Sequence, residues 1–318
     1  MKIYVTRSIP EPGISMLKKA GHKVSVYPGT EAIPRATLLK NVKGVDAILA
    51  LLTDKIDAEV MDTAGKQLKI ISNYAVGVDN INVPEAKKRN ILVSNTPGVL
   101  TESVAELTFA LLISSAKRIA EADKFTRAGK YQGWGPKLML GADLKDATLG
   151  IVGLGRIGSR VAEMAVCGMG MKVVYNDVKP NKDFEKQLGA KFLKLDALLK
   201  QADFVSIHVP LLPATRHLIT EKQLKMMKKT AYLINTSRGP IVDEKALVKA
   251  LKSKQIAGAG LDVFEFEPKL THGLSKLDNV TLTPHIASGS IRTRSEMSRI
   301  AAQNIIDALS GKKPKSLI

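Results

Sequence analysis

Residues 148–177 constrain the fold more than any other stretch. An apolar run from Thr148 to Val152 ends in Gly153-Leu154-Gly155-Arg156-Ile157-Gly158. Val161, Met164, Ala165 and Gly168 then recur at helical spacing. A second apolar run, Met171 to Tyr175, closes on Asp177, which lies 19 residues past Gly158. Strand, glycine turn, helix, strand and acid, in that order, form a dinucleotide-binding fingerprint. Gly153 permits the tight turn, Gly155 leaves the backbone bare to a pyrophosphate, and Gly158 lets the helix pack closely on the strand. The helix N-terminus offers unpaired N–H groups and a partial positive charge to the phosphates. Asp177 stands where an acid takes the ribose hydroxyls. A carboxylate there favours NADH over NADPH, while Lys179 and Lys182 nearby leave room for the phosphorylated form.

A chain of 318 residues suggests two domains, and 45% hydrophobic residues suffice for buried cores. No uninterrupted apolar run approaches the roughly 18 residues of a membrane span. The N-terminus, Met1 to Thr6, reads as a first strand and not as a signal peptide. Cys167 is the only cysteine, so no intrachain disulfide can form. Its place in the middle of an apolar helical pattern predicts a small core side chain. These features favour a reducing, cytoplasmic setting. The net charge of +18 raises nucleic-acid binding. The charges argue against it, because lysines such as Lys222, Lys225, Lys228, Lys229 and Lys245, Lys249, Lys252, Lys254 sit on helix faces. Aromatics at 4% leave few stacking platforms. A field that draws in anionic substrates is the better reading of the charge.

Residues 1–98 alternate β runs with helical patterns. Strands are expected at Lys2–Thr6, Lys23–Tyr27, Ala47–Leu51, Lys69–Asn73 and Ile91–Asn95, with helices between them. Repeated βα units predict a doubly wound parallel sheet of the flavodoxin-like kind, an α/β domain. A long helix is expected from Ser103 to about Arg127, with Ser103 and Glu106 as a capping box. Residues 131–145 then form an irregular arm that carries Trp134, the only tryptophan. Beyond the fingerprint, strands are expected at Phe204–Val209, Ala231–Thr236, Ala257–Val263 and Val280–Thr283. These make six strands in a second, Rossmann-type sheet. Ile291–Leu309 reads as a final helix that packs back on the first domain. The expected division is 1–98 completed by 286–318, and 99–285 including an arm at about 101–145.

In doubly wound sheets ligands sit beyond the carboxyl ends of the strands. Three consecutive strand ends there carry reactive side chains: Arg238 in Asn-Thr-Ser-Arg-Gly, Glu267 in Phe-Glu-Phe-Glu-Pro, and His285 in Thr-Pro-His-Ile-Ala-Ser. An imidazole can protonate a carbonyl oxygen near neutral pH. A carboxylate on its other ring nitrogen fixes the tautomer and favours the imidazolium. The planar fork of arginine matches a carboxylate. Together they predict reduction of a 2-oxo acid to a 2-hydroxy acid with NADH. His22 and His272 read as solvated loop residues and His217 as structural. No cluster has metal-ligand spacing, so no metal is expected.

These motifs, with Gly-Leu-Gly-Arg-Ile-Gly, resemble those of the D-isomer-specific 2-hydroxyacid dehydrogenases, and the similarity covers nearly the whole chain. The resemblance implies that Arg238 orients substrate, that Glu267 pairs with His285 and that His285 is the proton donor. It implies a substrate carboxylate held by backbone N–H groups at Val76 and Gly77, near Leu52. It implies cofactor contacts at Gly153, Gly155, Arg156, Ile157, Gly158, Asp177, His208, Pro210, Thr215, Thr236, Ser237 and Ala287, with Asp262 facing the nicotinamide amide. The arm around Trp134 resembles the glyoxylate/hydroxypyruvate reductase branch, in which a tryptophan helps form the neighbouring subunit's substrate pocket. A homodimer producing glycolate or D-glycerate is therefore expected. Short phosphoglycerate or other D-2-hydroxyacid dehydrogenases stand as alternatives, as do NAD-binding co-repressors that keep the fold. No stretch after the final helix matches the regulatory domain of many phosphoglycerate dehydrogenases in the family.

Overall fold

The computed structural model describes residues 1–318, which form two compact units: Met1–Leu100 with Ser288–Ile318, and Thr101–Ala287. The first unit runs β1 (Lys2–Val5), α1 (Glu11–Lys19), β2 (Lys23–Val26), α2 (Arg35–Asn41), β3 (Ala47–Ala50), α3 (Ala58–Ala64), β4 (Ile70–Asn73), α4 (Val83–Lys88) and β5 (Leu92–Ser94). Its five strands are parallel in the order β2-β1-β3-β4-β5, the flavodoxin-like arrangement. Every residue of β3 and β4 is buried, as expected of central parallel strands covered on both faces. Asp57 caps α3 by accepting a hydrogen bond from the Val60 N–H.

The second unit continues with α5 (Thr101–Ala116), α6 (Ile119–Arg127), β6 (Thr148–Val152), α7 (Arg156–Met169), β7 (Lys172–Asn176), α8 (Lys182–Leu188), β8 (Lys191–Phe192), α9 (Leu195–Gln201), β9 (Phe204–Ile207), α10 (Glu221–Met226), β10 (Tyr232–Asn235), α11 (Glu244–Lys252), β11 (Gly258–Leu261) and β12 (Val280–Leu282). Its sheet is parallel throughout, in the order β12-β11-β10-β9-β6-β7-β8. The order reverses between β6 and β9, which creates a crevice at their carboxyl ends. Two apolar clusters cover its faces. One gathers Leu198, Leu233, Leu247 and Leu261, the other Leu112, Ile151, Val161 and Tyr175. The last helix, α12 (Ile291–Leu309), belongs to the first unit. The Ser72 Oγ donates to the Ala301 carbonyl, the Tyr74 hydroxyl to that of Arg294, and the Asn95 carbonyl accepts from Asn304. No helix is long and apolar enough to cross a membrane.

Four local expectations are corrected. The helix expected from Ser103 to Arg127 is two helices. It begins at Thr101, and Ser103 lies inside it, donating its hydroxyl to the Ala287 carbonyl at 2.9 Å. It breaks because the Ala116 carbonyl accepts from the Ala142 N–H where a continuing helix would supply its own donor; Arg118 takes a left-handed φ of 57°. The second sheet has seven strands, because the two-residue β8 is too short to leave a pattern. Cys167 is exposed. The buried stripe of α7 is Gly158, Val161, Ala162 and Ala165, and position 167 falls off it.

Candidate active site

The glycine turn follows β6 and opens α7. Gly153 has a φ of 97°, and a side chain there would lie 2.9 Å from the backbone of His208 and Val209. The turn is thus pressed against the end of β9 at the point where strand order reverses. At Gly158 a side chain would lie 2.1 Å from the Gly153 carbonyl oxygen, so the helix sits hard on the turn. At Gly155 it would meet no atom within 4 Å. That is open space over a helix N-terminus, the shape a pyrophosphate needs. Asp177, at the end of β7, accepts from the Leu154 N–H at 2.6 Å and from the Val178 N–H at 2.6 Å. The acid is therefore held beside the turn, and these residues fit a dinucleotide.

Three further loops on this edge are stitched side by side. The Ser237 hydroxyl, after β10, donates to the Val209 carbonyl, after β9. Thr215 sits between the Pro210 carbonyl and the Leu212 N–H. Thr236 is buried and shares a hydrogen bond with Thr108 of α5 at 2.8 Å. The Asn235 side chain spans its own turn, accepting from the Ser237 N–H and donating to the Arg238 carbonyl. Next comes Gly239, where a side chain would fall 1.9 Å from the Phe264 backbone. Only glycine lets the Arg238 loop approach the Glu267 loop so closely. The Glu267 carboxylate then accepts from the Phe264 N–H at 2.9 Å and meets the His285 Nδ1 at 2.9 Å.

His285 has a φ of 53°, a strained conformation for this residue, and its surroundings hold it there. Its N–H donates to the Asp262 carbonyl at 2.8 Å. The buried Asp262 carboxylate accepts from the Thr283 hydroxyl and from the N–H groups of Ile286 and Ala287. Asp262 is therefore the clasp of the histidine loop. Burial alone would raise Glu267. The hydrogen bond and charge of His285, the Phe264 N–H and the charge of Arg238 outweigh it and hold the carboxyl below its ordinary range. An ionised Glu267 on Nδ1 leaves Nε2 as the ring nitrogen not held by this pair. His208 behaves oppositely: burial pushes its pKa down to about 3, so it stays neutral beside the glycine turn, with Nε2 at 2.8 Å from the Ser206 hydroxyl.

In the first unit, Val76 and Gly77 follow β4. Their carbonyls are both occupied, by the Asn95 amide at 2.8 Å and the Asn73 amide at 2.8 Å. Their N–H groups make no such bond to the chain, and the side chain of Val76 is exposed. Anchored carbonyls with unspent N–H groups are what an anion-binding turn requires. Leu52 lies half-buried after β3. Trp134 is 84% exposed on the arm, alongside exposed Tyr131, Leu138 and Leu140.

Sequence reasoning missed a network behind the site. His217 meets Glu265 at 2.6 Å, and Glu265 exchanges backbone and carboxylate hydrogen bonds with the buried Glu244. In Phe-Glu-Phe-Glu-Pro the first glutamate is scaffold and the second faces the histidine. Sequence reasoning singled out Glu267 and passed over Glu265, whose partners His217 and Glu244 lie 48 and 21 residues away.

The family model described as D-isomer specific 2-hydroxyacid dehydrogenase, NAD binding domain, matches residues 109–287. The glyoxylate reductase of Thermofilum pendens is 52% identical over all of this chain and 94% of its own length. A solved protein of Thermus thermophilus is 44% identical, with a TM-score of 0.94 and full coverage of both chains. The NADPH-dependent glyoxylate/hydroxypyruvate reductase of Sinorhizobium meliloti, solved with NADP and malonate, is 30% identical with a TM-score of 0.87. That match covers all of this chain and 96% of the other.

Proposed function

The chain belongs to the D-isomer specific 2-hydroxyacid dehydrogenases, and on that premise we propose that it reduces glyoxylate or hydroxypyruvate to the 2-hydroxy acid, using NADH. The observation that supports this most is the Glu267–His285 pair on the same sheet edge as a glycine turn open to a pyrophosphate. When bound, the nicotinamide supplies the hydride for the carbonyl carbon. His285 gives the carbonyl oxygen a proton from Nε2, because Glu267 occupies Nδ1. Arg238 pairs with substrate oxygens through its planar fork. The Val76 and Gly77 N–H groups offer donors to the substrate carboxylate. Asp177 sets the preference for NADH, since a 2′-phosphate would face its charge. The exposed apolar arm suits burial against a second copy of the chain, with Trp134 in that contact. A lone, exposed cysteine suits a reducing cytoplasm.

The test is NADH oxidation with glyoxylate, hydroxypyruvate, pyruvate and 3-phosphohydroxypyruvate supplied separately. Turnover of the first two above the others is expected. Turnover of none, with NADH bound, would replace the reading with that of a cofactor-sensing interaction protein. Equal kcat/KM for NADPH would remove the role given to Asp177. Sedimentation as a monomer would remove the dimer.

A further inference from the structure

Arg7 follows β1 on the carboxyl edge of the first unit. In the connections that leave the carboxyl ends of its five strands there are two basic residues, Arg7 and Lys55. Lys55 pairs with Asp57 at 3.6 Å, whereas Arg7 forms no ion pair. Arg7 is half-buried, and its guanidinium makes one hydrogen bond to the chain, from Nη2 to the Thr53 hydroxyl at 2.7 Å. Its Nε is closed off from solvent with no acceptor. The stem is therefore fixed, while Nη1 is unspent.

A continuous run of hydrogen bonds ties this guanidinium to the turn at Val76 and Gly77. The Thr53 hydroxyl contacts the Asp54 carboxylate at 3.4 Å. That buried carboxylate also accepts from the Thr6 hydroxyl and from the Leu51 N–H. The Asn80 amide donates to the Leu51 and Asp54 carbonyls. Asn80 and Asn73 exchange amide hydrogen bonds at 2.9 and 3.2 Å, and Asn73 holds the Gly77 carbonyl. β1 lies beside β3 and β3 beside β4, so the strand ends that carry Arg7 and Val76 stand about 10 Å apart. Arg7 spans part of that gap by reaching over to the β3 loop. A brace between two loops needs no charge, yet this one carries a cation that no acid of the chain pairs with.

We propose that Arg7 is a specificity-determining residue, whose Nη1 donates to an oxygen on the third carbon of the substrate and so selects hydroxypyruvate over pyruvate. The assignment rests on the reading of the chain as a 2-oxo acid reductase, with the substrate carboxylate on the Val76 and Gly77 N–H groups. A substrate held there extends along the edge toward β5 or toward β3. On the β5 side the Asn95 amide is spent on the Val76 carbonyl. On the β3 side stand Leu52, Thr53 and the unspent Nη1. A hydroxyl suits this donor better than a phosphoryl group does. Closing off Nε removes one two-pronged edge of the fork, and Nη2 is engaged by Thr53, so one donor is left for one oxygen. A site that hydrogen-bonds a substrate hydroxyl rejects the analogue without it, because its own polar group is then unmatched.

Isothermal titration calorimetry of the NADH-saturated protein tests this with D-glycerate and D-lactate, which differ only in the oxygen on the third carbon. Neither acid can react while NADH is bound. The natural chain should bind D-glycerate about tenfold more tightly, as one hydrogen bond from a charged donor allows. Arg7→Met, which keeps the apolar stem, should bring the two acids within about threefold of each other. Thr53→Val, which removes the hydroxyl that aims the fork, should lower the preference by less, and Arg7→Lys should keep part of it. Lys55→Ala removes a charge from the same edge and should leave the preference unchanged. Far-UV circular dichroism verifies that each variant is folded. Steady-state kinetics should repeat the pattern in kcat/KM for hydroxypyruvate against pyruvate, carried mainly by KM. Equal weakening of both acids by Arg7→Met would make Arg7 a brace and overturn the proposal, as would an unchanged preference. A larger loss for 3-phosphohydroxypyruvate than for hydroxypyruvate would assign the donor to a phosphoryl group and overturn it too. An Arg7-dependent preference without turnover of any 2-oxo acid would overturn the reaction and uphold the contact. Binding of neither acid would overturn both.

Discussion

Both units are doubly wound parallel sheets, but their carboxyl edges are built from different chemistry. In the first unit, neutral amides do the work. Asn73 and Asn95 occupy the carbonyls of Gly77 and Val76, and Asn80 reaches back to the carbonyls of Leu51 and Asp54. The product is a turn whose Val76 and Gly77 carbonyls are occupied and whose N–H groups are unspent. In the second unit, the edge is made of titratable groups locked by carboxylates: His285 by Glu267 and by the Asp262 clasp, His217 by Glu265. One edge is suited to hold an anion and the other to move a proton. A shared fold therefore carries no function of its own, and the side chains at the strand ends assign it.

The contrast can be broken at several points. His285→Ala should lower kcat by about 10²–10⁴, the range for loss of a general acid, with NADH affinity nearly unchanged. A near-normal kcat would take proton transfer away from the second unit's edge. Gly239→Ala should cost about 1–3 kcal/mol in chemical denaturation, because the new methyl collides with the Phe264 backbone. Unchanged stability would mean that the Arg238 and Glu267 loops are not mutually fixed. Asn73→Ala in the first unit should raise KM for the 2-oxo acid about tenfold with little change in kcat, since it frees the Gly77 carbonyl and loosens the turn. A fall in kcat at constant KM would contradict an anion-holding role.

A further effect lies in the pH dependence of stability. His208 is held neutral down to about pH 3, whereas the unfolded chain takes up that proton near pH 6.5. Below 6.5 the unfolded state therefore binds more protons, and stability falls as pH falls, by up to about 1.4 kcal/mol per unit. Glu267 adds to the same trend at lower pH, since its native pKa is depressed below 4.5. Urea unfolding from pH 7 to 4.5 should show a shallower slope for His208→Gln than for the natural chain. Equal slopes would show that His208 titrates freely in the native state.

Much of the site was legible because its elements are local. The fingerprint from Gly153 to Asp177 is one continuous segment, and its glycines sit where turn geometry demands them. Arg238, Glu267 and His285 could be placed on one edge because parallel strands bring successive carboxyl ends together. What escaped was set by partners distant in sequence. The break at Arg118 depends on Ala142 capturing the Ala116 carbonyl, and nothing in the helical pattern announces it. The exposure of Cys167 depends on which stripe of α7 faces the sheet.

Order along the chain was enough to determine two doubly wound sheets, the glycine turn and the three reactive strand ends. Hydrophobic period and strand-end position are properties of neighbouring residues, readable without coordinates. The tertiary structure alone decided that Glu265 holds His217 and the Glu244 N–H, and that Asp262 clasps the histidine loop. Those outcomes rest on contacts between loops many residues apart, and such contacts exist only once the sheet has set the distances.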